Sequence, residues 1–330
     1  MSQSYYFFQS GRLRRKDNTI EFENLSKDKR SIPVERIREI YMFGEIDFNS
    51  KFMAFIAQNK ICVHWFNYYG FYSGSFYPRE SLVSGRLLIK QVQHYQDPNK
   101  RLKLAKSFVE GASYNVYRNI RYYNQRGKEL NSYLSNINGL RKKLEQCKTI
   151  HELMGIEGNI KKQYYRAWNT IIDQNIEFKK RVKRPPDNII NTLLSYVNSL
   201  VYTRVLSQMY RTQLNPTISY LHEPGEKRFS LCLDIAEIFK PILGDRLIFS
   251  LLNKRQITPD SFEKDLNFLY MKENTVKLIT KEFDMRTRQT IKHKKLGREV
   301  SYNHLIRLEA YKLIKHLTGE QEYEPFKMWW

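Results

Sequence analysis

Apolar positions in the first 80 residues come in short aromatic and β-branched runs, separated by turn-forming residues. Tyr5-Tyr6-Phe7-Phe8 is the first. Asn18 marks a turn ahead of Ile20-Glu21-Phe22, where apolar and polar positions alternate. Ile40-Tyr41-Met42-Phe43 stops at Gly44, and Ile61-Cys62-Val63-His64-Trp65-Phe66 stops at Asn67. Residues 70–77 alternate again up to Pro78. Strand propensity and turn chemistry agree, which predicts a small β domain. Phe52, Phe55 and Ile56 share a helical face, which predicts one short helix over Ser50–Gln58.

Beyond Pro78 the period lengthens to three and four. Leu87, Leu88 and Val92 open the pattern. Leu102, Ala105, Val109, Ala112, Val116 and Ile120 form a long stripe, and Ile160, Tyr164, Trp168 and Ile171 form another. The segment 188–211 is the most apolar of the long helical stretches, as a central buried helix would be. Its polar interruptions at Asn191, Ser195, Asn198, Thr203 and Arg204 argue against a membrane span. Thr258-Pro259-Asp260 carries a helix-start signal. The expected fold class is therefore α+β. A small β-sandwich-like N-terminal domain with one short helix spans residues 1–80, a linker spans 81–84, and a larger all-α catalytic domain spans 85–330.

Charge changes this picture. Lys and Arg total 56 against 34 Asp and Glu, a net charge of +22, and Tyr and Phe are abundant at 23 and 19. Such a chain suits a polyanion that offers faces for stacking, namely nucleic acid. The bases cluster. Lys100, Arg101, Lys103, Lys106, Arg118, Arg121 and Arg126 are interleaved with Tyr114, Tyr117, Tyr122 and Tyr123. Lys277, Lys281, Arg286, Arg288, Lys292, Lys294, Lys295 and Arg298 form a second group. Both would neutralise phosphates, and Tyr would stack on exposed bases. A third basic run, 179–184, leads to Pro185-Pro186 and reads as a loop holding Arg184. No basic amphipathic helix with exposed Trp or Phe competes for a membrane surface. Cys62, Cys147 and Cys232 stand far apart, which excludes a disulfide framework and fits a reducing cytoplasm. The opening residues lack the charged start and apolar run of a signal peptide.

A few acids run against the overall sign. Asp234 and Glu237 lie i and i+3 in an apolar helix-forming segment, so they share a face. Burying both is costly unless a cation or hydrogen-bond donors compensate. Leu221-His222-Glu223-Pro224-Gly225 ends in a turn that would return the chain and bring His222 beside Asp234. Glu157 lies between Gly155 and Gly158 at an expected helix start, followed by Tyr164 and Tyr165. A histidine with two or three carboxylates suits Mg²⁺ or Mn²⁺. Helical D-x-x-E pairs are common and a single His is more often structural, so spacing alone leaves a scaffold reading open, with these acids serving as caps and ion pairs.

Together the motifs resemble a known family, the CRISPR-associated integrase and endonuclease of spacer acquisition, first of the two universal adaptation proteins. Ile32-Pro33-Val34-Glu35, Ile40 to Gly44, Tyr69-Gly70 and Tyr72-Ser73-Gly74 look like its β domain. Gly155-Ile156-Glu157-Gly158 with Tyr164 looks like its first ligand motif. Arg184-Pro185-Pro186-Asp187 with Asn191, Leu194-Ser195 and Tyr202 looks like the helix ahead of its site. Leu214-Asn215-Pro216 with Leu221-His222 looks like its histidine motif, and residues 230–241 look like its acidic motif. Relatives often carry Asp where Asn215 stands.

The resemblance implies that Glu157, His222 and Glu237 are catalytic and hold Mg²⁺ or Mn²⁺, with Asp234 as a further or alternate ligand. It places Lys240 near the DNA path. The DNA contacts expected with it are Arg184, Tyr164, Tyr165, Arg286, Arg288, Lys292 and Lys294. The implied partners are prespacer and repeat DNA, a second copy of the chain docked through the β domain, and the small second adaptation protein. The implied reaction is attack by a prespacer 3′-hydroxyl on a repeat phosphodiester. A hydrolytic nuclease acting on branched or single-stranded DNA would use the same site.

Overall fold

The computed structural model describes residues 2–80, 82–182, 186–225, 229–265 and 268–329. The chain divides into two compact units, Met1–Ser81 and Leu82–Trp330.

The first unit holds β1 (Gln3–Phe7), β2 (Gly11–Lys16), β3 (Thr19–Asn24), β4 (Lys29–Pro33), β5 (Ile37–Met42), β6 (Ile46–Phe48), α1 (Ser50–Gln58), β7 (Cys62–Phe66) and β8 (Tyr72–Phe76). They form two four-stranded sheets, ordered β1-β5-β7-β8 and β4-β3-β2-β6. β5 pairs parallel with both β1 and β7, and β7 pairs antiparallel with β8. β2 and β3 form a hairpin in which Lys16 faces Thr19 across a two-residue turn. Asp17 in that turn takes φ +50°, a left-handed conformation that Asp tolerates better than most residues. Phe7, Ile40 and Val63 from one sheet and Leu13, Ile20 and Phe22 from the other share one core with Phe52, Phe55 and Ile56 of α1. The sandwich and its helix are thus as the sequence predicts. β2 was not expected, because only Leu13 of its six residues is fully buried.

The second unit contains α2 (Gly85–Gln96), α3 (Pro98–Asn124), α4 (Asn131–Lys142), α5 (Ile150–Ile171), α6 (Ile189–Met209), α7 (Ser230–Phe239), α8 (Arg246–Asn253), α9 (Glu273–Arg288) and α10 (Tyr302–Thr318). Asp97 caps α3 through the N–H groups of Asn99 and Lys100, with Pro98 at the first helical position, where no N–H is needed. α6 is buried along nearly its whole length and packs against α7 and α10. This unit is not purely helical. β9 (Phe262–Asp265) pairs with β10 (Phe268–Met271), and β11 (Thr290–Lys292) pairs with β12 (Glu299–Ser301). The helix expected from Thr258-Pro259 is a single 3₁₀ turn, Pro259–Ser261, leading into β9. Its capping signal is real, but no apolar stripe follows to hold a longer helix.

The C-terminal tail packs on this unit. Tyr323, Phe326 and Met328 are buried. Asn115 of α3 donates to the Phe326 carbonyl at 3.1 Å and accepts from the Met328 N–H at 2.8 Å. A Cβ on Gly111 would lie 2.6 Å from Pro325, so glycine is what allows the tail to approach α3. All three cysteines are buried. Among the described residues no helix is long and apolar enough to cross a membrane.

Candidate metal centre and basic face

The site is built from α5, the segment between α6 and α7, and α7 itself. Thr149 caps α5 by accepting the Glu152 N–H, and Glu152 accepts the Lys148 N–H in return. Glu157 therefore lies in the interior of α5, not at its start as its flanking glycines suggested. A Cβ at Gly155 or Gly158 would meet nothing within 4 Å, so neither glycine marks a helix end or a close approach. Lys161 follows one turn later, then Tyr164 and Tyr165.

α7 is buried on all sides at Asp234 and Glu237. It runs into a π-helical turn, Lys240–Asp245. Pro241 explains the widening, since it cannot donate to the Glu237 carbonyl and its ring would clash there. Side chains of α3 take up carbonyls in this stretch. Asn115 donates to Ile238 at 3.0 Å, and Asn119 donates to Pro241 at 2.8 Å.

Asp234 organises the histidine. Its Oδ2 accepts the N–H groups of Tyr220 and Leu221 at 2.7 and 3.0 Å, and its Oδ1 accepts the His222 N–H at 3.0 Å and Nδ1 at 2.7 Å. A carboxylate only accepts, so Nδ1 carries the proton and the Nε2 lone pair is left for a ligand. The turn does bring His222 beside Asp234, as the spacing suggested. Both Asp234 oxygens are committed, however, so Asp234 holds the histidine and is not presented as an open ligand. The segment is held from outside as well. Gln91 of α2 donates to the Asn215 carbonyl at 3.1 Å and accepts its N–H at 2.8 Å. Arg101 of α3 donates to the Tyr220 carbonyl at 3.0 Å and pairs with Glu223 at 2.6 Å.

Glu157 and Glu237 meet through a cation. The Lys161 ammonium pairs with Glu157 and, at 3.1 Å, with Glu237 Oε2. Lys240 pairs with the other oxygen of Glu237 at 2.6 Å. Burial pushes the Glu237 carboxyl up, but Lys161 and Lys240 more than offset it and hold it well below the usual carboxylate range. The His222 ring is near enough to add to that lowering. Burial lowers Lys161, and its two carboxylates more than reverse this. Beneath them Asp245 is buried and pushed up to about 7 by desolvation, against the opposing hydrogen bond from Tyr164 and the charge of Lys240.

Among the described residues, no three His, Cys, Asp or Glu side chains stand close enough to hold a metal ion in common. The acids are ion-paired, as a scaffold would have them. Glu157 and Glu237 nevertheless already share one cation, the Lys161 ammonium. Two carboxylates and an imidazole nitrogen suit Mg²⁺ or Mn²⁺. By donor type the set suits such an ion, while as they stand the three side chains are not close enough to share one.

The expected DNA contacts fall in different places. Tyr164 is fully buried against Trp168 and Phe249, and its hydroxyl accepts from Asn119 at 3.1 Å, so it supports the site from below instead of meeting a ligand. Tyr165 is half-buried beside Phe178, and desolvation pushes its hydroxyl up to about 12. Arg184 lies outside the described residues. Arg288 pairs with Asp284, which also holds the buried Arg204 at 3.4 Å. Lys292 is exposed on β11, and Lys294 lies 5.7 Å from the centre of the Trp329 ring. Arg286 is half-buried close to Arg246, and desolvation followed by that like charge lowers its pKa. Arg246 and Arg126 both sit on the Tyr122 ring, at 5.3 and 4.4 Å. The end of the first basic cluster thus approaches the second through Arg246. Among the described residues, no salt bridge joins Arg126, Arg246 or Arg286 to a carboxylate, although the charge of Glu282 acts on Arg286.

Sequence reasoning missed Lys161, Asp245 and the Gln91 and Arg101 braces. Lys161 had a signal in its E-x-x-x-K spacing from Glu157. The braces join residues more than a hundred positions apart and had none.

Comparison with known proteins follows the same lines. The family model for CRISPR associated protein Cas1 matches residues 5–285. The CRISPR-associated endonuclease Cas1 of Fusobacterium nucleatum is 57% identical over 330 residues, covering 100% of this chain and 98% of that protein. The solved Cas1 protein TM1797 of Thermotoga maritima is 41% identical, with a TM-score of 0.89 over 97% of this chain and 99% of that one. A casposase bound to its integration product is alike in fold, with a TM-score of 0.89 over 99% of this chain and 93% of that one at 21% identity.

Proposed function

From a chain that belongs to the CRISPR associated protein Cas1 family, we propose an integrase of CRISPR adaptation that joins prespacer DNA to the repeat. The observation that carries this reading is the pairing of Glu157 and Glu237 through Lys161, with Asp234 orienting His222 on the segment that leads into α7, in an otherwise strongly basic chain.

Glu157, His222 and Glu237 would hold Mg²⁺ or Mn²⁺. When bound, the ion would polarise the target phosphodiester and stabilise the charge that develops on it. The prespacer 3′-hydroxyl gives up its proton to solvent as its oxygen bonds to the repeat phosphorus. The bond from that phosphorus to its own 3′-oxygen breaks, and the departing oxygen takes up a proton. This transesterification requires little covalent chemistry from the protein, so positioning and charge carry it. Asp234 fixes His222, α3 fixes the turn after Glu237, and Lys240 stands next to the acids within reach of a phosphate. Arg126, Arg246, Arg286 and Lys292 would follow the DNA backbone. The inferred assembly is a homodimer through the β domain, together with the small second adaptation protein. The name endonuclease borne by the Fusobacterium relative supports a second reading, hydrolysis at the same site with water as the nucleophile.

His222→Ala tests the assignment. It should abolish joining while DNA affinity measured by fluorescence anisotropy stays within about threefold, because phosphate contacts dominate binding. Joining by the variant at the wild-type rate would overturn it.

A further inference from the structure

Resting on the metal reading above, we propose that Lys161 is a built-in competitor for the divalent cation: its ammonium fills the place between Glu157 and Glu237 and withdraws when the ion enters. Three observations carry this. The ammonium contacts both carboxylates at once, one of them on its own helix and one on α7. Glu237 also holds Lys240 on its second oxygen, so two acids and two bases neutralise one another without any ion. The Lys161 side chain is 37% exposed against 8% for Glu237, so it has room to move and the acid does not.

A divalent ion binds carboxylate oxygens at about 2.0–2.6 Å. The ammonium already occupies hydrogen-bonding positions on the same oxygens, and two cations cannot share them at such range. Lys161 is on a flexible stem, one turn from Glu157 on α5. Lys240, by contrast, follows directly on α7 and uses the other oxygen of Glu237, so it can remain while Lys161 leaves. In the metal-free protein the ammonium prevents Glu157 and Glu237 from repelling one another and keeps them in register. Its competition sets the metal concentration at which the site fills. Lys161 is thus a positioning residue that acts through its two carboxylates.

The test uses the full chain stripped with EDTA, without DNA, titrated with Mn²⁺ while free Mn²⁺ is followed by electron paramagnetic resonance. Lys161→Gln should bind Mn²⁺ about tenfold more tightly than wild type, equivalent to about 1.4 kcal/mol. Lys161→Arg, which keeps the charge, should not bind more tightly than wild type. Glu157→Gln should bind more weakly than any of these. An independent arm needs no variant. Labelling of wild-type Lys161 by an amine-reactive reagent, read by peptide mass spectrometry, should rise several-fold on adding Mn²⁺. Unchanged affinity in Lys161→Gln, or unchanged labelling, with Glu157→Gln still weakened, would overturn the competitor role and leave the metal reading standing. Equal Mn²⁺ binding by wild type and Glu157→Gln would overturn both.

Discussion

Asp234→Asn should undo the histidine's support without changing the size of the side chain. Four hydrogen bonds converge on the carboxylate, two on each oxygen, all from N–H donors. An amide keeps one accepting oxygen and turns an NH₂ toward the other two donors, whichever way it flips. Asp234 is fully buried, so water cannot replace what is lost. A hydrogen bond to a charged group contributes about 1.5–3 kcal/mol, so two lost bonds amount to about 3–6 kcal/mol. Urea denaturation of the EDTA-treated chain, followed by helical circular dichroism, should show a loss in that range for the helical unit. Where the amide NH₂ comes to face His222, the imidazole Nδ1 proton, hydrogen-bonded to Asp234 in the wild type, should lose its nitrogen–proton NMR signal. Metal affinity should fall by about 10–100-fold, as for other residues that orient metal-binding histidines. A stability loss under about 1 kcal/mol with the Nδ1 signal retained would refute this reasoning, because no single hydrogen bond to a charge is that weak.

Asp245 gives a pH signature in the metal-free protein. Its folded pKa of about 7 lies well above the ordinary aspartate range, so the unfolded chain gives up this proton first as pH rises. Stability from this group is therefore present below the unfolded value and is lost as pH climbs through about 7, by roughly 4 kcal/mol at most. Asp245→Asn should flatten the stability profile between those limits, and a profile as steep as wild type in denaturant titrations would contradict it. Arg286→Gln should lower the slope of log affinity against log salt by about 0.9, one phosphate contact. An unchanged slope in anisotropy titrations would remove Arg286 from the DNA path. Phe326→Ala should destabilise the helical unit by about 3–5 kcal/mol, since Phe326 is buried and its ring stacks on Phe239 of α7 with centres 5.7 Å apart. Denaturant midpoints should show it.

The β domain was legible where apolar runs were dense. β5 and β7 are mostly buried, and Ile37, Ile40, Tyr41, Val63 and Phe66 give them aromatic and β-branched character. β2 was not legible, because Gly11-Arg12-Leu13-Arg14-Arg15-Lys16 shows the core one side chain while Arg14 pairs with Glu21 and Glu23 across the sheet. The central helix α6 was visible because it is the most apolar of the long helices. Residues 258–271 were misread because one capping signal serves both a full helix and a single turn before a hairpin. At the site, Asp234 and Glu237 stood out as acids in an apolar segment, and the turn after His222 explained their approach. The division of labour between them was hidden, since it depends on which donors reach Asp234 through the fold. Lys161 was hidden for a different reason: in a chain at +22 one more lysine carries little information, and only the structure singles it out.

The central claim is chemical, that this site joins DNA through a 3′-hydroxyl. The direct measurement mixes the chain, the proposed small adaptation partner, Mn²⁺, a repeat-bearing target and a labelled duplex ending in either 3′-hydroxyl or dideoxynucleotides. The account predicts a joined product from the hydroxyl-ended duplex and none from the dideoxy-ended one. Target cleavage at equal rates with both ends, and no joined product, would contradict it.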